Sequence, residues 1–298
     1  MRPIAIVGAP SSIGIKPYAD GRPRALDRAP RVLRELGLVD RLGAHDLGDT
    51  VPPPYRDVVR PPAGVRNEAD LVEFLGRLAE RVDQAIRTGS FVVVLGGDCS
   101  IVLASLMGIR VTRRRVALAY LDAHADFATP QESRTGSAAS MCLGMAVGRG
   151  DTPLARMLPD GPLVRGSDVA IIGRRDNPEQ IYGEHALAEH DVLNINAARL
   201  LERGPAAAAK EALSRVDRDG LDGFWIHLDA DVLDASVMHA VDTPETDGPG
   251  FAEMGELVAR LAAQPRALGI ELTIFDPELD PGGACGRGLA DLLEGALT

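Results

Sequence analysis

The 298-residue sequence has no apolar run of the roughly 18 residues that a membrane-spanning helix requires. Its three cysteines, Cys99, Cys142 and Cys285, are too few for a disulfide framework in a chain this long and are expected as reduced thiols. The opening MRPIAIVGAP reads as a strand ending in a turn, without the long apolar stretch and cleavage site of a signal peptide. These absences predict a cytoplasmic protein. Lysine is nearly missing: of 32 basic residues only Lys16 and Lys210 are lysines, a bias to which no function is attached. Positive charge is also short in total. The 43 acidic residues leave a net charge of -11, and such a surface repels nucleic-acid phosphates and anionic membranes. No repeat, low-complexity tract or convincing linker is present. The Pro- and Gly-containing stretch 148–166 is short, so residues 1–298 are expected to form one domain.

What is there is ordinary for a globular chain, with 45% hydrophobic and 25% charged residues. Short apolar runs predict strands over 3–7, 90–95, 115–121, 169–172, 223–228 and 267–272. Helical spacing of apolar residues marks 24–38. Asn67 is a plausible N-cap for a long amphipathic helix to about Thr88, and a last helix spans 288–297. The stretch 46–65 reads as a Pro-rich loop. Strands alternating with helices predict an α/β fold, a mostly parallel sheet covered on both faces.

In such a sheet ligands bind beyond the carboxyl ends of the strands. Three strands here run into acidic clusters: Gly96-Gly97-Asp98-Cys99-Ser100, Asp122-Ala123-His124-Ala125-Asp126 and Asp229-Ala230-Asp231-Val232-Leu233-Asp234. Alternate residues of an extended backbone share a face, which sets Asp122, His124 and Asp126 beside Asp229 and Asp231. Four clustered carboxylates would repel one another unless cations neutralise them. An oxygen-rich site with one imidazole suits Mn²⁺ or Mg²⁺ and, less well, Fe²⁺ or Zn²⁺. A pair of such ions can make a shared hydroxide nucleophilic at neutral pH. A lone Asp after a strand is usually a turn or cap residue, and Asp98 and Asp234 fit that description.

These motifs resemble those of the ureohydrolases, the family of arginase, agmatinase and formiminoglutamase, and the resemblance covers essentially the whole chain. GGDCS is similar to the family's GGDHS, DAHAD to its DAHxD and DADVLD to its DxDxxD. The resemblance implies a three-layer αβα domain with about eight strands, assembled as a homo-oligomer (trimer or hexamer). It implies two Mn²⁺ per chain and hydrolysis of a small guanidino or amidine substrate to urea or an amide plus an amine. Carried over by motif, Cys99, Asp122, Asp126 and Asp229 would hold the first ion and Asp122, His124, Asp229 and Asp231 the second. Asp126 would also orient the nucleophile.

The sequence departs from the family at four places. Cys99 stands where a metal-binding His is usual, as in members with a biosynthetic role, and a thiolate favours Zn²⁺ or Fe²⁺ at that position. In the segment matching S-G-N-x-H-G, Ser137 replaces the Asn and Ala139 the His proposed as proton shuttle. Phe127-Ala128 follows Asp126 where a polar Asn is usual. Before Asp276-Pro277 the guanidinium-binding Glu is missing, with Thr273 and Ile274 in its place and Glu271 the nearest acid. Glu271 and His239 are therefore candidate catalytic residues beside Asp126, His239 as an alternative proton shuttle. Ser137, Asp176 and Asn177 are candidates for substrate binding. His227 reads as a histidine packed in a strand. The losses fall on substrate recognition, so the expected enzyme is no dedicated L-arginine hydrolase. The alternative is a non-catalytic homologue kept as an oligomeric scaffold.

Overall fold

The protein, seen in a computed structural model, is described over residues 2–56, 64–113, 115–157, 161–176 and 184–298. Eight strands form one sheet: β1 (Ile4–Gly8), β2 (His45–Asp49), β3 (Phe91–Leu95), β4 (Val116–Leu121), β5 (Val169–Ile172), β6 (Leu193–Ile195), β7 (Gly223–Asp229) and β8 (Ala267–Thr273). Their order is β2-β1-β3-β8-β7-β4-β5-β6, and every neighbouring pair is parallel. The strands β3, β4, β5, β7 and β8 are buried at every residue, as a sheet covered on both faces demands. Flanking helices are α1 (Ala29–Glu35), α2 (Leu38–Arg41), α3 (Glu68–Arg87), α4 (Ile101–Thr112), α5 (Cys142–Ala146), α6 (Glu184–Glu189), α7 (Ala197–Arg203), α8 (Pro205–Val216), α9 (Phe251–Ala262) and α10 (Ala284–Leu297). Among them α3 buries Leu71, Phe74, Leu75, Leu78, Val82 and Ile86 along one face and packs on α4.

Three details depart from the sequence reading. The apolar runs predict neither of the outermost strands, β2 and β6, and β2 overlaps the start of the stretch 46–65 that reads as a Pro-rich loop. Their sequences, HDLGD and LNI, lack an apolar run because an edge strand keeps one side near solvent. The helical pattern 24–38 is broken: α1 ends before Gly37, whose φ of 79° turns the chain into α2. Asn67 does sit at the start of α3, but its side chain caps nothing there. Its backbone is left-handed (φ 54°) and its Nδ2 donates to the Ile13 carbonyl at 2.9 Å.

Because all strands run the same way, their carboxyl ends share one edge. Three of the four central strands, β3, β7 and β4, deliver the acidic clusters to the middle of that edge. Asp98 fastens the first of them. Fully buried, it accepts from Gly14 N at 3.0 Å and Ser100 N at 3.1 Å, tying the turn after β3 to the loop after β1.

Candidate metal centre

Two groups of donor atoms form where β4 and β7 end. Cys99, Asp122, His227 and Asp229 make an inner group; Asp122, His124 and Asp231 make an outer one. Within each, one donor atom per residue lies within 4.8 Å of all the others, and Asp122 belongs to both. The inner residues are all buried. Local backbone turns aim the carboxylates: Asp122 Oδ1 accepts from His124 N at 2.6 Å, and Asp229 Oδ1 from Asp231 N at 2.8 Å. His124 Nδ1 stands 3.0 Å from Asp231 Oδ2 and 3.5 Å from Asp122 Oδ1. The Cys99 thiol donates to Asp229 Oδ2 at 2.7 Å.

The electrostatics are those of a like-charge cluster. Burial, then the charge of Asp231, holds the Asp122 and Asp229 carboxyls well above the usual range. Burial pushes the Cys99 thiol up, and Asp229 adds to it. Burial alone would lower His124, but Asp231 and Asp122 outweigh it and raise the imidazole well above its ordinary value. Burial would likewise raise Asp231, yet His124 holds it low. Three buried polar atoms of these groups have no hydrogen-bond partner, Asp122 Oδ2, His124 Nε2 and His227 Nε2. Unpaired acceptors and mutually repelling carboxylates in one buried place fit a bound cation, and the donor set of thiol, imidazoles and carboxylates is one that divalent metals take.

A cleft of about 280 Å³ lies over the groups. Cys99, His124, Asp126, Asp229 and Asp231 line it, together with Ser137 and Asp176. Asp126 falls in neither donor group. Its Oδ2 accepts from the Tyr120 hydroxyl at 2.7 Å, and burial raises its carboxyl to about 6. Asp126 (φ 46°) and Ile274 (φ 63°) both line the cleft in left-handed backbone, a conformation uncommon for non-glycine residues and costly for a β-branched one. Ser137 Oγ accepts from Lys16 N at 2.9 Å, and Asp176 Oδ1 from Arg174 Nε at 2.6 Å. Asn177 lies outside the described residues.

Two expectations move. Glu271 is not in the cleft: it is fully buried beneath the inner group, with Oε1 2.7 Å from His227 Nδ1 and Oε2 accepting from Ser105 Oγ at 2.5 Å. It is a strand residue, and the sheet face it points to is the floor. His239 is exposed and sits 3.6 Å from Cys285 Sγ, outside the cleft lining. Ala128, Ala139 and Ile274, three of the positions where the sequence departs from the family, form an apolar wall of the cleft, while its cations, Lys16 and Arg134, are unmarked in the sequence reading. Lys16 follows β1, so the same strand-end rule that found the aspartates applies to it.

A family model described as the arginase family matches residues 2–297. The chain is 29% identical over 287 residues to an arginase of Bacillus caldovelox, covering 94% of this chain and 93% of that one. It is 29% identical over 286 residues to an arginase of Brevibacillus brevis, covering 93% and 91%. The solved structure of the Bacillus caldovelox arginase superposes with a TM-score of 0.89 at 26% identity, covering 100% of this chain and 98% of that chain.

Proposed function

Because the chain belongs to the arginase family, we propose that it is a metal-dependent hydrolase cleaving the C–N bond of a guanidine or amidine other than L-arginine. The cleft over the two donor groups is the observation that carries the reading. Asp122, His124, Asp229 and Asp231, with Cys99, would hold two divalent ions, manganese in the oxygen-rich outer position and manganese, zinc or iron(II) beside Cys99. When bound, such ions neutralise the carboxylates and supply a water nucleophile that is deprotonated near neutral pH.

The chain's own residues do the rest. Asp126 faces the cleft with its carboxylate held by the Tyr120 hydroxyl, placed to take up and return a proton. Lys16 and Arg134 supply cations for a carboxylate, which supports a guanidino acid as substrate. Ser137 holds the Lys16 segment through its hydroxyl. Asp176 offers a negative charge to an amino group. Phe127, Ala128 and Ile274 form an apolar wall. In the same frame residues 1–298 act as one domain, assembled as a homo-oligomer whose size light scattering would measure.

The test is a urea-release assay on the metal-loaded full chain with L-arginine, agmatine, 4-guanidinobutyrate and Nω-hydroxy-L-arginine side by side. Each lost charge-assisted hydrogen bond costs about 1.5–3 kcal/mol, or roughly ten- to a hundredfold. Loss of a proton shuttle at Ala139 costs roughly 10²–10⁴ in rate. Arginine should therefore be among the poor substrates. Arginine turning over best of the four would overturn the substrate reading, and bound metal with no urea from any would favour a non-catalytic scaffold.

A further inference from the structure

His227 stands two residues before Asp229 on β7, as Tyr120 does before Asp122 on β4, so alternation puts all four side chains on one face. Tyr120 and His227 are register partners, and their rings stack 4.2 Å apart at 6°. Glu271 is the register partner of His227 on the other side, from β8. Its Oε1 lies 2.7 Å from His227 Nδ1, while Ser105 Oγ donates to Oε2. The imidazole is thus clamped on both flanks, and His227, Glu271 and Ser105 are all fully buried. One nitrogen is left over. Nε2 has no hydrogen-bond partner, and a ring nitrogen of His227 lies within 4.8 Å of donor atoms of Cys99, Asp122 and Asp229. Since Nδ1 is engaged by Glu271, Nε2 is the nitrogen the cluster can use. Histidines that bind metal through one nitrogen commonly have the other held by a carboxylate.

We propose that His227 binds metal through Nε2 at the inner position, with Cys99, Asp122 and Asp229, and that Glu271 is its positioning residue. The donor set is then one sulfur, one nitrogen and two carboxylates, which selects zinc or iron(II), while the outer position with Asp122, His124 and Asp231 keeps the oxygen-rich set that suits manganese. The centre would be a mixed one, with two chemically different positions sharing Asp122. This inference rests on the reading that the two groups bind metal.

Calorimetric titration of the metal-stripped full chain with Zn²⁺, and separately with Mn²⁺, tests it. His227→Asn keeps an amide opposite Glu271 and removes Nε2; Glu271→Gln leaves the imidazole and loosens its clamp. Expected are tighter zinc than manganese binding at the inner position and a zinc affinity lowered roughly 10–100-fold by Glu271→Gln. His227→Asn should lower it further, with manganese binding at the outer position unchanged in both. Should the variants not fold, anomalous scattering from zinc-loaded wild-type crystals decides. Density about 2.0–2.1 Å from His227 Nε2 is expected. Zinc affinity unaltered by His227→Asn, or an inner ion out of bonding reach of Nε2, overturns the proposal while leaving the metal reading intact. A wild-type chain that binds neither ion overturns both.

Discussion

A carboxyl group withdrawn from water holds its proton more tightly, and two withdrawn together hold theirs more tightly still. Asp122 and Asp229 are in that condition, and the Cys99 thiol between them donates its hydrogen to Asp229 rather than standing as a thiolate. Removing both charges should therefore cost the metal-free fold little. Asp122→Asn with Asp229→Asn is expected to abolish metal binding and turnover while the metal-free melting temperature stays at or above that of the parent. Elemental analysis and calorimetry check the two halves; metal retained by the double variant would count against the assigned ligands. Cys99 acts differently. A thiol must lose its proton before it can bind a cation, and a thiolate is softer than an imidazole. Cys99→His should raise Mn²⁺ affinity at the inner position, and unchanged manganese binding would show that Cys99 is not a ligand.

At the scale of elements, the site is the meeting of four turns at the ends of β3, β8, β7 and β4. The turn after β3 is tightly packed. A Cβ on Gly97 would run into the backbone of Ser11 and the Ala9 carbonyl, which are not free to move aside. Gly97→Ala should destabilise the fold by about 1–3 kcal/mol, as overpacking does, and weaken metal binding by displacing Cys99. Urea denaturation and metal titration on the same preparation would read both, and a variant as stable as the parent would mean that the turn is looser than its contacts indicate. Elements also decide what the sequence can disclose. Central strands were legible because burial on two faces demands apolar runs, and the acidic clusters because they follow those runs directly. The edge strands β2 and β6 carry no such pattern. Lys16 and Arg134 sit in loops without periodicity, where a cation ordinarily faces solvent. His227 reads from the sequence only as a histidine packed in a strand. Its clamp depends on β7 pairing with β4 and β8 in a particular register, and that is a long-range fact of the sheet.

For the molecule as a whole, the buried acids make metal, protons and folding one coupled equilibrium. Asp126 has its carboxyl raised from the ordinary 3.8 to about 6, and Asp122 and Asp229 are shifted the same way. A group that binds its proton more tightly folded than unfolded favours the fold below its unfolded pKa. That contribution is lost as pH rises through the folded pKa. For Asp126 the window runs from about 4 to about 6, and the other two aspartates carry it in the same direction. Asp234, held down to about 2 by hydrogen bonds from Ser236 and Gly248, works oppositely, but its window closes below pH 4. Cations compete for the same oxygens, so metal binding must expel these protons and strengthen as pH rises. The stabilisation from a ligand grows with its concentration relative to Kd. Metal should therefore raise the melting temperature more at pH 8 than at pH 5.5, and calorimetry in two buffers of different ionisation enthalpy should register proton release at the lower pH. A metal-induced shift that is the same at both pH values, with no protons released, would mean that the aspartates are already ionised in the metal-free fold.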